Sequence, residues 1–133
     1  MDDDDVKRTV REAFRPWENG DSGPFFALVA DDVRWTVIGT TKVSGVYTSK
    51  AALLENTFGP LLDRLDGPLK TTFIDLAVDG SRVFLRFESL GTGKTGTPYR
   101  QTYCFAMRWR NGQIVETVAY LDTELLANIF ADP

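Results

Sequence analysis

The chain has 133 residues, a length typical of one domain, at which about two-thirds of the unfolded surface can be buried on folding. It carries 15 Lys and Arg against 19 Asp and Glu, and because Asp2–Asp5 supply the whole excess, residues 6–133 are neutral. This balance argues against nucleic-acid binding, which needs a clustered basic surface. No histidine is present, so Ser-His-Asp and Cys-His nucleophile systems and His-ligated zinc are excluded. Cys104 is the single cysteine, which excludes an intramolecular disulfide and a Cys-cluster metal site.

The sequence has no feature of a membrane or exported protein. No apolar run approaches the roughly 18–20 residues that span a bilayer. The acidic Asp2–Asp5 run is unlike the basic start of a signal peptide. No repeat or long Pro/Gly/Ser-rich linker interrupts the chain. We therefore expect a soluble, cytoplasmic protein with one domain over residues 1–133 and no membrane partner.

Apolar residues spaced by three and four predict an amphipathic first helix that closes at Asn19-Gly20. These residues are Val6, Val10, Ala13, Phe14 and Trp17. A short second helix is expected after Ser22 and runs to Asp31-Asp32. Val33–Ile38 is then predicted as a strand, against which Lys42–Tyr47 pairs back.

Ser49 is predicted to cap a third helix that runs to about Leu65, with an interruption or kink at Gly59-Pro60. Its apolar face consists of Leu54, Phe58, Leu61, Leu62 and Leu65. Beyond it, four segments rich in β-branched and aromatic residues are predicted as strands. They are Leu69–Val78, Val83–Leu90, Tyr99–Arg110 and Gln113–Leu121.

Two dipeptides typical of tight turns, Asp79-Gly80 and Asn111-Gly112, separate neighbouring strands and indicate antiparallel hairpins. The longer, glycine-rich Gly91–Pro98 connection is expected to be a mobile loop. A last helix is predicted after Asp122-Thr123. Strands segregated from helices in this way indicate an α+β domain, in which a strongly twisted sheet packs against the helices and leaves an apolar cavity.

Four short segments resemble the SnoaL-like branch of the nuclear transport factor two-like superfamily. They are Ala30–Trp35, Val43–Tyr47, Asn111–Glu116 and Tyr120–Thr123. The resemblance covers nearly the whole chain. It implies a cystatin-like cone, in which a strongly curved, mixed but mostly antiparallel sheet wraps around three to four helices. It also implies a homodimer through the outer sheet face and an apolar ligand site in the cone. Relatives with such a site include ketosteroid isomerases, limonene epoxide hydrolases and polyketide cyclases.

The catalytic residues of the isomerases do not carry over to this chain. Their chemistry needs a carboxylate base and two oxyanion donors, a tyrosine and a protonated aspartate. In an ungapped comparison, the tyrosine falls at Ala13, the base near Thr36 and the aspartate near Phe105. None of these side chains can do that work, so the resemblance implies the fold without the isomerase site.

The other two relatives match only in part. Arg86-Phe87-Glu88 is close to the Arg-x-Asp pair of the epoxide hydrolases, but their partner carboxylate falls at Ala119. Strand alternation also places Arg86 and Glu88 outside the cone. For the polyketide cyclases, Asp122 is the nearest carboxylate to the family's acid, and their partner histidine is absent.

Two residues are candidates for catalysis. Asp122 stands between the last strand and the last helix, where it can act as a general acid or base at the mouth of the cone, or as an N-cap. Tyr103 alternates with Gln101 and Phe105 on one strand face. It is either a hydrogen-bond donor in the pocket or a buried tyrosine bonded to backbone.

The candidate ligand-binding residues are aromatic or small and are expected to face the cavity. They are Trp17, Trp35, Phe58, Gln101, Phe105 and Thr117. Each tryptophan can stack on a flat ligand or simply fill the core. Val115, Thr117, Ala119 and Leu121 are expected to share a face of the last strand and to leave room for a ligand or a helix.

The sequence thus predicts a protein that binds a small apolar or amphipathic molecule. One hypothesis is a cofactor-free isomerase, cyclase or hydrolase that uses acid–base chemistry. The alternative is a non-catalytic module that carries a ligand or dimerises. A buried carboxylate inside the cone would separate the two, and no Asp or Glu is securely predicted to face inward. No cofactor, metal or nucleic acid is expected in either case.

Overall fold

A six-stranded sheet with helices on one side forms the frame of the protein. The computed structural model describes residues 1–131. The elements are α1 (Asp3–Phe14), α2 (Gly23–Ala27), β1 (Val29–Val37), β2 (Gly45–Tyr47), α3 (Lys50–Leu53), α4 (Gly59–Asp63), β3 (Lys70–Asp79), β4 (Arg82–Thr92), β5 (Pro98–Arg110), β6 (Gln113–Tyr120) and α5 (Thr123–Ala131). A 3₁₀ turn follows α1 at Arg15–Asn19, and a π-helical turn at Leu54–Phe58 joins α3 to α4.

The strand order in the sheet is β2-β1-β6-β5-β4-β3. β1 and β6 run parallel, and all other neighbours run antiparallel. This arrangement confirms the predicted α+β class with a mixed, mostly antiparallel sheet. Because β6 lies next to β1, α5 starts beside the end of β1.

The two faces of the sheet differ in burial. Along β5 buried and less buried residues alternate without interruption, so its odd-numbered residues from Tyr99 to Trp109 pack under the helices. We call this side the inner face and the opposite side the outer face. Tyr103 and Phe105 lie on the inner face, as the alternation predicts.

Aromatic rings join the first helices to the inner face. Phe14 on α1 is fully buried. Its ring centroid lies 5.1 Å from that of Phe87 on β4 and 5.3 Å from that of Trp17. Phe25 of α2 packs 6.2 Å from Phe105 on β5. Ring pairs at these separations contribute beyond the burial of their area, so this cluster fixes α1 and α2 on the sheet.

The predicted boundary between the second helix and the first strand is wrong. That helix was expected to run to Asp31-Asp32, but α2 ends at Ala27 and β1 begins at Val29. Val29 is fully buried and pairs with Ile114 of β6. The register shifts between Val29 and Arg34, which accommodates the exposed aspartates in the strand. Strand pairing therefore overrides the helical pattern here.

The first and third predicted helices are each divided. α1 ends at Phe14, and the chain around Trp17 is a 3₁₀ turn closed by Gly20 at a φ of 90°. Ser49 caps α3 as predicted, because its Oγ accepts the N–H of Ala52 at 3.1 Å. The interruption precedes Gly59-Pro60, whose proline has no N–H for a helical bond. The N–H of Gly59, just before the proline, donates to the carbonyl of Leu54, five residues back, and this is the hydrogen bond of a π-helical turn.

The limits predicted for one strand and for one loop also differ from those in the structure. Within Lys42–Tyr47 only Gly45–Tyr47 pairs with β1. The Ser44 hydroxyl donates to the carbonyl of Ile38 at 2.9 Å, which holds the preceding residues in a turn. The expected loop at Gly91–Pro98 is shorter than predicted, because β4 and β5 stay paired as far as Thr92 and Pro98.

Replacing Phe14 by Ala tests the aromatic cluster. The change removes a ring from a site with no solvent access, so we expect the free energy of unfolding to fall by about 3 kcal/mol or more. The control is Leu62→Ala, since Leu62 on α4 is 52% exposed and should lose no more than about 0.5 kcal/mol. Urea unfolding followed by circular dichroism measures both. Equal losses in the two variants would contradict a core centred on Phe14.

Candidate functional site

A cavity lies between the inner face of the sheet, the π-helical turn, α4 and α5. It encloses about 40 Å³, which is room for roughly three water molecules. Counted with its opening to solvent, the space free of protein atoms is about 410 Å³. Its lining consists of Trp35, Val37, Val43, Thr57, Phe58, Leu61, Tyr103, Phe105, Ala119, Leu121, Leu126 and Phe130.

The side chains that line the cavity are almost all apolar. Its two polar side chains are Thr57 and Tyr103, and within the described part of the chain no Asp, Glu, Lys or Arg is among the lining residues. The hydroxyl of Thr57 donates to the carbonyl of Leu53 at 2.6 Å, so its proton is already used. The cavity therefore suits an uncharged, mainly apolar group.

Tyr103 is held in place by ring stacking and by a second tyrosine. Its ring stacks on Phe87 with centroids 4.8 Å apart and planes 14° from parallel. Its hydroxyl oxygen lies 2.6 Å from that of Tyr99, two inward residues earlier on β5. Burial raises the pKa of Tyr103 well above its usual value, and the neighbouring Tyr99 adds to this effect. Tyr103 is thus a neutral hydroxyl at any physiological pH.

Gln101 lies between these tyrosines on β5 and is bonded to the backbone of Asp122. Its Oε1 accepts the Asp122 N–H at 2.7 Å, and its Nε2 donates to the Asp122 carbonyl at 2.9 Å. Burial raises the pKa of Tyr99, and hydrogen bonding with Tyr103 and with the Gln101 side chain opposes part of that rise. Gln101 thus connects the start of α5 to β5.

The carboxylate of Asp122 points to the start of α5. Its Oδ1 accepts the N–H groups of Glu124 at 3.0 Å and of Leu125 at 3.2 Å, which is the geometry of an N-cap. The residue is exposed and is not part of the cavity lining. Of the two roles considered for Asp122, the contacts match helix capping.

The structure brings four of the eight predicted site residues together in the cavity lining: Trp35, Phe58, Tyr103 and Phe105. Trp17 lies one layer away, with its ring centroid 6.1 Å from that of Phe58. Gln101, Thr117 and Asp122 are also outside the lining.

Thr117 is fully buried on the inner face, and within residues 1–131 its Oγ1 has no hydrogen-bond partner. Val115, which was expected to share that face, is only half-buried. The reason is an extra residue in β6. Pairing with β5 passes from Glu116 opposite Arg108 to Ile114 opposite Trp109, so that Ile114 takes the buried position.

Several lining residues were not predicted as site residues. They are Val37, Val43, Thr57, Leu61, Leu126 and Phe130. Leu126 and Phe130 are four residues apart on α5 and so lie on one side of that helix, a signal that was available in the sequence. Tyr99 was missed as well, although it continues the alternating inner face of β5.

The segment that resembles an epoxide hydrolase pair lies on the outer face. Arg86 donates to both carboxylate oxygens of Asp75, at 2.7 and 2.5 Å, and this pair lowers the pKa of Asp75. Arg86 and Glu88 are both exposed, as strand alternation predicts. Neither can orient a water molecule in the cavity.

Two kinds of feature are absent from residues 1–131. No group of three or more Cys, Asp or Glu side chains is arranged so that it could hold a metal ion. No helix in this part of the chain is long and apolar enough to cross a bilayer.

The sequence model of the SnoaL-like domain matches residues 10–117. The chain belongs to the SnoaL-like family. This confirms the family that the four short segments indicated. Among curated proteins, none matches the chain.

Solved structures of the same fold support the assignment. An NTF2-like protein from Burkholderia thailandensis is 23% identical, with 98% of each chain covered and a TM-score of 0.80. A protein with a cystatin-like fold from Xanthomonas campestris is 19% identical, with 92% of this chain and 96% of that chain covered and a TM-score of 0.76. TerC, co-crystallised with polyporic acid, is 16% identical, with 94% and 97% covered and a TM-score of 0.75.

Replacing Asp122 tests its role as the N-cap of α5. Asp122→Ala removes the acceptor for two N–H groups of α5 and should lower the free energy of unfolding by about 1 kcal/mol. Asp122→Asn keeps a capping oxygen and should retain most of that stability, because Asn caps about as well as Asp. Thermal and urea unfolding of both variants measure the effect. Full stability in Asp122→Ala would show that the cap contributes nothing.

Proposed function

We propose that this SnoaL-like protein binds a small apolar or amphipathic molecule in the cavity under α4 and α5. The observation that carries the proposal is an apolar lining in which, among the described residues, Thr57 and Tyr103 are the two polar side chains. Pockets of this composition take apolar ligands and orient them through a few polar groups. TerC, which shares the fold, was co-crystallised with the organic compound polyporic acid, and this is consistent with a ligand site in such a frame.

A ligand of more than a few heavy atoms needs the opening to widen. The enclosed volume is about 40 Å³, and Phe58 and Leu61 line the cavity from the π-helical turn and from α4. Phe58 belongs to the π-helical turn, and such turns occur often at functional sites. We propose that these side chains move aside when the ligand enters.

Two kinds of activity are compatible with such a site. Acid–base catalysis of an isomerisation, cyclisation or hydrolysis needs a group that accepts a proton, and a carboxylate would normally supply it. The described residues that line the cavity include no carboxylate, and Asp122 is exposed and engaged by α5. We therefore favour a protein that binds or carries its ligand over one that transforms it.

A thermal-shift screen with a matched pair of variants tests the ligand site. The panel comprises steroids, terpenoid epoxides, aromatic polyketides and fatty acids. A ligand present at 100 times its Kd adds about 2.7 kcal/mol, which raises the Tm by several degrees for a domain of this size. Ala119→Val adds two methyl groups inside the cavity and should reduce the shift. Ala127→Val, at an exposed position of α5 outside the cavity lining, should leave it unchanged.

Each outcome of the screen has a distinct meaning. No stabilisation of the wild type by any class would contradict the ligand site, and an equal shift in both variants would place binding elsewhere. Each stabilising compound is then incubated with the protein and analysed by mass spectrometry. Recovery of unchanged compound supports a carrier, whereas a new product would support the catalytic alternative.

We also propose that two copies of the chain pair through the outer face. Cross-strand neighbours Ala77, Phe84, Ala106 and Val118 form an apolar row across β3–β6. Phe84 keeps 39% of its surface exposed. Charged groups of both signs flank the row, so a second copy can meet it with opposite charges facing.

Light scattering after size-exclusion chromatography tests this pairing. The wild type should elute with twice the 14.9 kDa mass of one chain. Phe84→Glu places a charge in the apolar row and should give the single-chain mass. Leu62→Glu, at an exposed apolar position on α4, is the control and should remain paired. A wild type of single-chain mass at micromolar concentration would disprove the proposal.

A further inference from the structure

Thr117 on β6 carries a buried hydroxyl that has no hydrogen-bond partner. The residue has no solvent access, and within residues 1–131 its Oγ1 is the one buried hydroxyl oxygen that lacks a partner. A hydroxyl taken out of water without a compensating bond destabilises the folded state. Such groups are rare in folded proteins, so a particular one has a particular reason to be there.

Packing of the strand does not account for this hydroxyl. Val is β-branched like Thr and has nearly the same volume, and both residues suit strands. A Val at this position would therefore fill the same space on the inner face and leave no oxygen unpaired. The Thr117 oxygen is thus a cost to the fold, which a bound group that pairs with it would remove.

Two aromatic rings separate Thr117 from the cavity. Trp35 on β1 is the direct neighbour of Thr117 in the sheet, and Phe105 on β5 is the direct neighbour of Ala119. The two ring centroids are 5.0 Å apart, and because β6 lies between β1 and β5, the rings meet across β6. Trp35, Phe105 and Ala119 line the cavity, whereas Thr117 does not. The cavity thus ends at the ring pair, two residues along β6 from the unpaired hydroxyl.

Of the two rings, that of Trp35 is the freer to move. Phe105 is held on its other sides by the rings of Phe25, Phe87 and Tyr103. Beyond Phe105, the described ring neighbour of Trp35 is Phe26, at a centroid distance of 6.1 Å. Displacement of the Trp35 ring would open the cavity toward Thr117.

We propose that the cavity extends past Trp35 when a ligand binds, and that Thr117 hydrogen-bonds a neutral hydroxyl group of that ligand. A hydroxyl matches Thr117 because each group can donate one bond and accept another, so the bond forms whichever one donates. The ligand group is uncharged, since no described lining residue carries a charge that could balance one. Met107, the neighbour of Thr117 on β5, has an unbranched side chain that adapts to new contacts. This inference rests on the proposed ligand site and names its ligand class, an apolar body with a hydroxyl at its inner end.

Phenol and toluene, which differ by a hydroxyl in place of a methyl group, test this pairing. Thr117→Val makes the same exchange in the protein, so the four combinations form a double-mutant cycle. Thr117→Ser keeps the hydroxyl. Thr71→Val is the matched control, because Thr71 is also buried on the inner face but its hydroxyl lies 3.1 Å from that of Ser89. Kd values are measured from the shift of the Ala119 amide signal in ¹H–¹⁵N NMR spectra, after each variant has given the dispersed spectrum of a folded protein.

We expect the ratio of the phenol Kd to the toluene Kd to be about fivefold higher in Thr117→Val than in the wild type. Comparing ratios removes the difference in hydration between the probes. In Thr117→Ser and Thr71→Val the ratio should stay within about twofold of the wild-type value.

The Tm of the ligand-free proteins gives a second measurement. Thr117→Val removes an unpaired oxygen, so its Tm should equal or exceed that of the wild type. Thr71→Val leaves the Ser89 hydroxyl without its partner, so its Tm should fall. A lower Tm in Thr117→Val would show that its hydroxyl is already paired in solution, for example with a buried water, and would overturn the inference.

The binding data can overturn it in three further ways. Equal ratios in the wild type and Thr117→Val would show that no ligand hydroxyl reaches Thr117, while the ligand site itself would stand. A phenol preference lost in Tyr103→Phe and kept in Thr117→Val would place the ligand hydroxyl at the tyrosine. Failure of both probes to bind the wild type would count against the ligand site, and the inference would fall with it.

Discussion

Two hydrogen bonds from the Gln101 side chain to the backbone of Asp122 connect the sheet to the last helix. They satisfy a buried amide that would otherwise be destabilising, and they fix the point at which the chain leaves β6 and enters α5. From that point Leu126 and Phe130 pass over the inner face and complete the cavity. One polar side chain thus determines where the wall of the cavity that α5 supplies begins.

The remaining volume under the helices is taken up by aromatic rings, and this explains why the cavity is small. Phe14, Trp17 and Phe25 fill the side under α1 and α2, with centroids 5.3 to 6.3 Å apart. Dense packing of this kind resists rearrangement. The opposite side is walled by the π-helical turn and α5, which meet the sheet through fewer rings. Adaptation to a ligand should therefore be confined to that side, while the aromatic layer stays fixed.

The sequence predicted well where one regular pattern holds along a whole element. β5 alternates over 13 residues without a bulge, so the inward direction of Tyr103 and Phe105 followed from their spacing. Where pairing with a distant strand determines the limits or the register of an element, the local sequence pattern predicts them wrongly. The extra residue at Val115 and the early start of β1 at Val29 depend on how β6 meets its neighbours. The volume of the cavity depends on the packing of many side chains at once, so no local pattern could predict it.

The polar groups of the cavity also limit the chemistry that can take place in it. Tyr103 is one of the two polar side chains in the described lining, and its neutral hydroxyl can donate or accept one hydrogen bond beside the one it shares with Tyr99. Isomerisation or cyclisation also requires a proton to be removed, and the described lining residues offer no carboxylate for that step. A base would have to come from the ligand itself or from water admitted through the opening. The described lining thus lacks the acid–base pair that such a reaction needs, and this favours the proposed binding role over a catalytic one.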